Sequence, residues 1–306
     1  MDPEPQSPQQ HSALHPVSIE TCCQLIAKKL SLADLFYGHG AIDAQSEALW
    51  IVSKELGLSP RSALEQMHVQ LNATQQAHAL AITTERIRSR KPLAYLLEEA
   101  WLMGVPFDCN EQSIVPRSYI AELITAGDLE PWLPADGKVL DLCTGNGSLA
   151  ILTALKCPDI RVTACDISLP ALALASRNLK RHGFSEQIEL LHGDLFEALP
   201  DPNEEERFDL IICNPPYVND ASMQALPAEY QAEPVIALAG GSDGMNLIRR
   251  IINTAPEYLN ERGALLIEIG NEAEHFHLAF PQIPVIWMEV SAGNQQVILI
   301  QAEDLR

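Results

Sequence analysis

Near the N-terminus, apolar residues return every three or four positions in VSIETCCQLIAKKLSLADLFYG, SEALWIVSKEL and TQQAHALAITTERIRSR, which predicts helices. Gly38, Gly40, Gly57 and Pro60 punctuate these stretches, so residues 17–91 are expected to form a small bundle of about four helices. From Pro92 the period shortens. PLAYLLEEAWLMGVPFDCNEQSIVPR predicts two short strands turning near Asp108–Gln112, a hairpin over residues 92–116 that connects two domains. Residues 117–306 alternate between strand and helix. Strands are expected in KVLDLCTGNG, RVTACDI, IELLHGDLF, FDLIICN and GALLIEIG, with helices over 147–157, 169–182, 244–260 and 271–280. Apolar strands alternating with helices predict an α/β fold, a doubly wound parallel sheet covered on both faces. The closing strands VIWMEV and QQVILIQ lie too close together for a crossover helix and should pair antiparallel at one edge.

Composition narrows the class. A chain of 306 residues with 47% hydrophobic and 20% charged residues is globular, with one large or two modest domains. No stretch approaches the roughly 20 apolar residues of a membrane span. The opening MDPEPQSPQQHS has neither a basic nor an apolar run, so residues 1–16 are expected to be a disordered tail rather than an export signal. The 7 cysteines are odd in number and form no CxxC or Cys/His cluster at zinc spacing, which suggests a reducing cytoplasm and no structural metal. The net charge is −21, spread over both halves of the chain. A DNA-binding surface needs several Lys and Arg to neutralise phosphates, and this chain offers no basic stripe. Its acidity suits a basic protein partner, or serves solubility alone.

Four segments at the carboxyl ends of predicted strands carry the chemistry. The first, Asp141-Leu-Cys-Thr-Gly145-Asn-Gly147, is a glycine turn between strand and helix, where backbone can approach a ligand closely. It is neither GxGxxG nor a P-loop, and its leading acid suits an amino group. Asp166, about twenty residues on, can accept both hydroxyls of a ribose, with Ser168 the better helix cap. Asp194, in HGDLF, offers an acceptor for an exocyclic amine beside apolar surface. An amine, a ribose and an adenine-like ring without phosphates describe S-adenosylmethionine. The fourth segment, Asn214-Pro215-Pro216-Tyr217, ends a strand with two prolines that cannot donate to a ladder. The Asn214 side chain and the Pro215 carbonyl, held by fixed dihedrals, can accept both hydrogens of a planar –NH₂ group. Tyr217 adds a flat packing surface. Such a clamp beside a methyl donor needs positioning and electrostatics rather than a strong base.

With these motifs the chain resembles the N(5)-glutamine methyltransferases, a family that modifies release factors and one ribosomal protein. The resemblance extends over residues 17–306. NPPY also occurs in adenine-specific DNA methyltransferases, and specificity comes from Glu233-Pro234 and Ala237-Leu238 downstream and Pro116-Arg117 upstream. KPLAYLLEEAWLMGVPF, VPRSYIAELI, DLCTGNGSLAI and DGMNLIRRII are similar to the branch acting on the third protein of the large ribosomal subunit. PRSYIAEL lacks the Thr-Glu pair usual in the release-factor branch. The resemblance implies a class I, Rossmann-like domain over residues 117–306. Its sheet would be seven-stranded and mostly parallel with an antiparallel edge strand, behind an N-terminal helical bundle that recognises the protein substrate. It also implies that Asp141, Thr144, Gly145 and Gly147 hold the methionine end of the cofactor, Asp166 the ribose and Asp194 the adenine. Cys143, Asn146, Ile167, Leu195 and Asn214 complete the cofactor set. Asn214, Pro215, Pro216 and Tyr217 would receive the glutamine, supported by Arg117 and Glu233. Many relatives carry an aromatic residue at Leu195, and Phe196 is the candidate to replace that ring. A nucleic-acid adenine methyltransferase, a release-factor methyltransferase and a non-catalytic protein of the same fold are the rival readings.

Overall fold

A computed structural model describes residues 15–202 and 207–306. The tail expected over residues 1–16 lies outside them apart from His15 and Pro16. The chain divides into two compact units, one ending at Arg90 and one spanning Lys91–Arg306.

The first unit holds the helices α1 (Ile19–Ser31), α2 (Ala44–Glu55), α3 (Pro60–Glu65) and α4 (Ala73–Ser89). Each begins at a residue suited to capping. Ser18, Asp43, Ser59 and Asn72 each accept a backbone N–H from the first turn with their side chains, and Asp43 and Asn72 complete capping boxes with Ser46 and Gln75. The periodic residues Ile19, Ile26, Leu30, Ile51 and Val52 are buried. A salt bridge lies among them: Arg86 Nε donates to both Glu47 oxygens at 3.1 Å, and its Nη2 donates to Glu47 at 3.0 Å. Burial without that partner would strand a charge.

The second unit opens with a helical turn, Leu93–Leu96, and a hairpin of β1 (Glu99–Leu102) and β2 (Val105–Asp108). The turn expected at 108–112 falls instead at Met103-Gly104, where both residues have positive φ (50° and 79°). Two consecutive left-handed residues make the tight turn whose twist matches a hairpin. After α5 (Ile120–Ala126) come β3 (Lys138–Leu142), α6 (Ser148–Lys156), β4 (Arg161–Asp166), α7 (Leu169–His182), β5 (Ile188–His192) and β6 (Phe208–Cys213). Then follow α8 (Asn246–Tyr258), β7 (Leu259–Glu268), α9 (Ala273–Ala279), β8 (Ile286–Val290) and β9 (Gly293–Gln301). The hairpin packs on α7: Asn178 and Arg181 both bond Asp108, and Arg181 also bonds Glu99.

The 7-stranded sheet runs β8-β9-β7-β6-β3-β4-β5. β5, β4, β3, β6 and β7 are parallel, and β9 runs antiparallel to both β7 and β8. The last two strands therefore pair antiparallel at one edge, and the fold is the class I Rossmann-like α/β sheet. Alternate strand residues feed two cores. Val139 and Ile212 pack with Ile120, Leu123 and Ile151 on one face, and Leu140, Ile211 and Leu265 pack with Ile248, Ile252 and Phe276 on the other. Every parallel strand points its carboxyl end toward one rim of the sheet, where open α/β folds bind ligands.

Candidate active site

The neighbouring order β5-β4-β3-β6 sets Asp194, Asp166, the glycine turn and Asn214 side by side along that rim. A cavity of about 260 Å³ opens there. Cys143, Gly145, Asp166, Ile167, Asp194, Leu195, Asn214 and Pro216 line it. A larger hollow, about 940 Å³, lies at the opposite, amino-terminal ends of β3 and β4 beside Lys138 and Arg161. Neither Asp166 nor Asp194 lines that hollow, so size does not mark the site.

The glycine turn divides into residues that face the cavity and residues that build it. Asp141 is 0% exposed. Its Oδ2 accepts the Thr144 hydroxyl at 2.6 Å and the Ala150 N–H at 3.1 Å, so the acid locks the turn to the start of α6. Its Oδ1 is buried without a hydrogen-bond partner. Burial pushes the Asp141 carboxyl up to about 7, against the pull of those two donors. Gly147, with φ 80°, leaves little room for a side chain: a Cβ there would lie 3.2 Å from Ala175 and 3.3 Å from Leu179, so those neighbours would have to give way. Asn146 is buried, and its carbonyl accepts from Asn178. Asp141, Thr144, Asn146 and Gly147 thus shape the turn without lining the cavity. Cys143 lines it in a left-handed conformation, φ 57°.

Asp166 ends β4 and accepts the Gly145 N–H at 2.9 Å and the Ser168 N–H at 2.8 Å, one on each oxygen. Ser168 caps α7, as its sequence position predicted. Burial pushes the Asp166 carboxyl up, while the two backbone donors hold it down. Asp194 forms an ion pair that sequence reasoning missed: Arg250, from α8, approaches its Oδ2 at 2.9 Å and lines the same cavity. Phe196 does not supply a ring to the site. It is buried and stacks on Tyr258 with centroids 4.8 Å apart, while Leu195 faces the cavity at φ 52°. His192 bonds the Ile167 carbonyl, a structural contact.

Asn214 follows β6 directly and reaches the cavity with Pro216. Pro215 is buried, and the Tyr217 hydroxyl donates to Glu268 Oε1 at 3.0 Å. Burial and the adjacent Glu268 carboxylate push the Tyr217 hydroxyl up, which keeps it protonated and donating. Arg117 and Glu233 stand behind the site as a two-pronged pair: Nη2 meets Oε2 at 2.7 Å, and Nη1 donates to Oε1. Glu233 Oε1 also accepts the Val115 N–H at 2.9 Å, and the guanidinium lies over the Tyr230 ring. The pair ties the loop carrying Ser113 and Ile114 to the loop carrying Pro234 and Ile236, and both loops line the cavity. Among the described residues no cluster of His, Cys, Asp or Glu could hold a metal, and no helix is long and apolar enough to cross a membrane.

Residues 126–229 match the Methyltransferase small domain family. A ribosomal protein uL3 glutamine methyltransferase from Bordetella pertussis is 43% identical over 280 residues, covering 90% of this chain and 92% of that one. Its namesake from Burkholderia pseudomallei is 45% identical over 286 residues, with coverage of 90% and 92%. That from Neisseria gonorrhoeae is 39% identical over 291 residues, covering 94% and 95%. The chain belongs to the ribosomal protein uL3 glutamine methyltransferase family. It is a methyltransferase, and its cofactor is S-adenosylmethionine, which supplies an electrophilic methyl on a sulfonium sulfur. The residues of this methyltransferase fit that group. Asp141 does not line the cavity, but its buried Oδ1 has no partner, and that open acceptor suits the ammonium of the methionine end. Asp166, with spare lone pairs at the cavity wall, suits two hydroxyls. The remaining lining is largely apolar (Ile167, Leu195, Pro234, Ile236 and Leu247) and suits a purine ring.

Proposed function

We propose that this enzyme transfers a methyl group from S-adenosylmethionine to the side-chain amide nitrogen of a glutamine in ribosomal protein uL3. One observation carries the reading: Asn214 opens from the end of β6 into the cavity that Asp166 and Asp194 already line, in a chain matching uL3 methyltransferases almost end to end. Asp141 and the turn amides would meet the methionine end, Asp166 the ribose, and Asp194, steadied by Arg250, the exocyclic amine of the adenine. Asn214 Oδ1 and the Pro215 carbonyl would accept the two hydrogens of the glutamine –NH₂, with Tyr217 behind them.

An amide nitrogen is a weak nucleophile because its lone pair is delocalised into the carbonyl. Two accepted hydrogen bonds move electron density onto nitrogen and fix its approach to the methyl carbon. Asn214 is neutral and Pro215 offers only a carbonyl, so neither takes the proton. As the new N–C bond forms and the C–S bond breaks, one amide hydrogen leaves to solvent.

A charge of −21 supports a basic protein substrate and opposes binding to DNA or to the polyanionic assembled ribosome. We therefore assign action to free or early-assembling uL3 in the cytoplasm, with no direct DNA contact and no membrane. Transfer of radiolabelled methyl to purified uL3, assembled large subunits, a release factor and adenine-containing DNA, side by side, tests the whole reading. Label on free uL3 alone is expected. Label on the release factor overturns the substrate, label on DNA overturns the reading of which amino group the clamp holds, and equal label on intact subunits overturns the timing.

A further inference from the structure

β7 leaves the core as ALLIEIG, and Glu268 is the one charged residue in that run. It is 2% exposed. Ile267 stands opposite Cys213 in the ladder between β7 and β6, so Glu268 sits beside the point where the Asn214-Pro215-Pro216-Tyr217 segment leaves the sheet. One carboxylate oxygen accepts the Tyr217 hydroxyl at 3.0 Å. The other accepts the Ser118 hydroxyl at 2.6 Å and the Tyr119 N–H at 2.8 Å. The segment is therefore held at both ends by the same strand, through the ladder at Cys213 and through the hydroxyl at Tyr217. Between these anchors lie two prolines whose φ is fixed. The same carboxylate also pins the residues that follow Arg117.

We propose that Glu268 is a positioning residue for methyl transfer, setting through Tyr217 the angle at which Asn214 and Pro215 present their oxygens. It does not line the cavity itself. The inference rests on reading Asn214 and Pro215 as the glutamine clamp. A carboxylate is required because three donors converge on it and none is returned. Glutamine at this position turns an N–H₂ toward either Tyr217 or the Ser118–Tyr119 pair, so one side loses its acceptor. Two loops that now share one register then move independently.

The test is a double-mutant cycle of Glu268→Gln and Tyr217→Phe in the full chain, read by kcat on uL3 and by the calorimetric Kd for S-adenosylmethionine. Each single variant is expected to lower kcat roughly 10- to 100-fold, the span expected for one hydrogen bond to a charged group. The double variant should be no worse than the worse single one, with Kd within about twofold of wild type. Multiplying losses would overturn the proposal, as would an unchanged kcat or a Kd that rises in step with the fall in kcat. Wild-type enzyme inactive on uL3 would defeat the functional reading instead. Hydrogen exchange then decides this inference alone: faster exchange at Tyr217 and Val218 in Glu268→Gln upholds it, and unchanged exchange overturns it.

Discussion

Asp141→Asn should make the protein more stable and worse at holding its cofactor. In the unfolded chain an aspartate titrates near 3.9. In the folded protein burial holds Asp141 at about 7. Between those values the folded state keeps a proton that the unfolded state has lost, so stability falls as pH rises from about 4 to about 7 and is level above that. The gap costs about 4 kcal/mol at pH 8. Asparagine keeps an acceptor for the Thr144 hydroxyl and the Ala150 N–H without the charge. It also turns an N–H₂ toward the position where Oδ1 has no partner, which costs about 1–3 kcal/mol. The cofactor-free variant should therefore gain roughly 1–3 kcal/mol at pH 8 and little or nothing at pH 5. Urea titrations of both proteins at the two pH values measure this. Calorimetric titration with S-adenosylmethionine should show affinity lowered tenfold or more, since a charge-assisted contact with the ammonium is lost. A variant less stable than wild type at pH 8, or equally improved at both pH values, would refute the burial argument. Unchanged affinity would refute the assignment of Oδ1 to the ammonium.

Three further substitutions probe separate parts of the site. Asn214→Ala should lower methyl transfer roughly 100-fold or more and leave cofactor affinity within about threefold, because it removes an acceptor needed in the transition state. Equal losses in both would make Asn214 a cofactor residue. Glu233→Ala leaves the Arg117 guanidinium and the Val115 N–H without their carboxylate, at about 3 kcal/mol, read as a melting point roughly 6–12 °C lower. A shift under 2 °C would mean that water replaces the pair at no cost. Gly270→Ala places a Cβ against the Tyr217 ring at a left-handed φ of 54°. It should cost about 2–4 kcal/mol and slow transfer by displacing that ring; wild-type kcat would show that the ring position is immaterial.

Glu268 and Arg250 mark where reading along the chain stopped. The alternation that predicts the sheet, the acids at Asp166 and Asp194, and the prolines after Asn214 are local signals. In a parallel sheet every strand carboxyl end reaches the same rim, so local order alone implied that these residues meet. Glu268 lay in plain view inside ALLIEIG, a carboxylate in an apolar run, but nothing nearby named its partners. The Ser118–Glu268 bond spans 150 positions and the Arg117–Glu233 pair spans 116. The sign of the Phe196 side chain's role depended on which way a single turn faced: Leu195 took the left-handed conformation, and Phe196 went to Tyr258. The hairpin turn moved to Met103-Gly104 because pairing register, not composition, fixes where two strands reverse. Local patterns along the chain carry the periodicities, and with them the α/β class, together with the chemical type of each strand-end residue. Tertiary structure alone decided which carboxylates face the cavity, which brace it and which are already paired, because those outcomes depend on burial and on partners that no local pattern encodes.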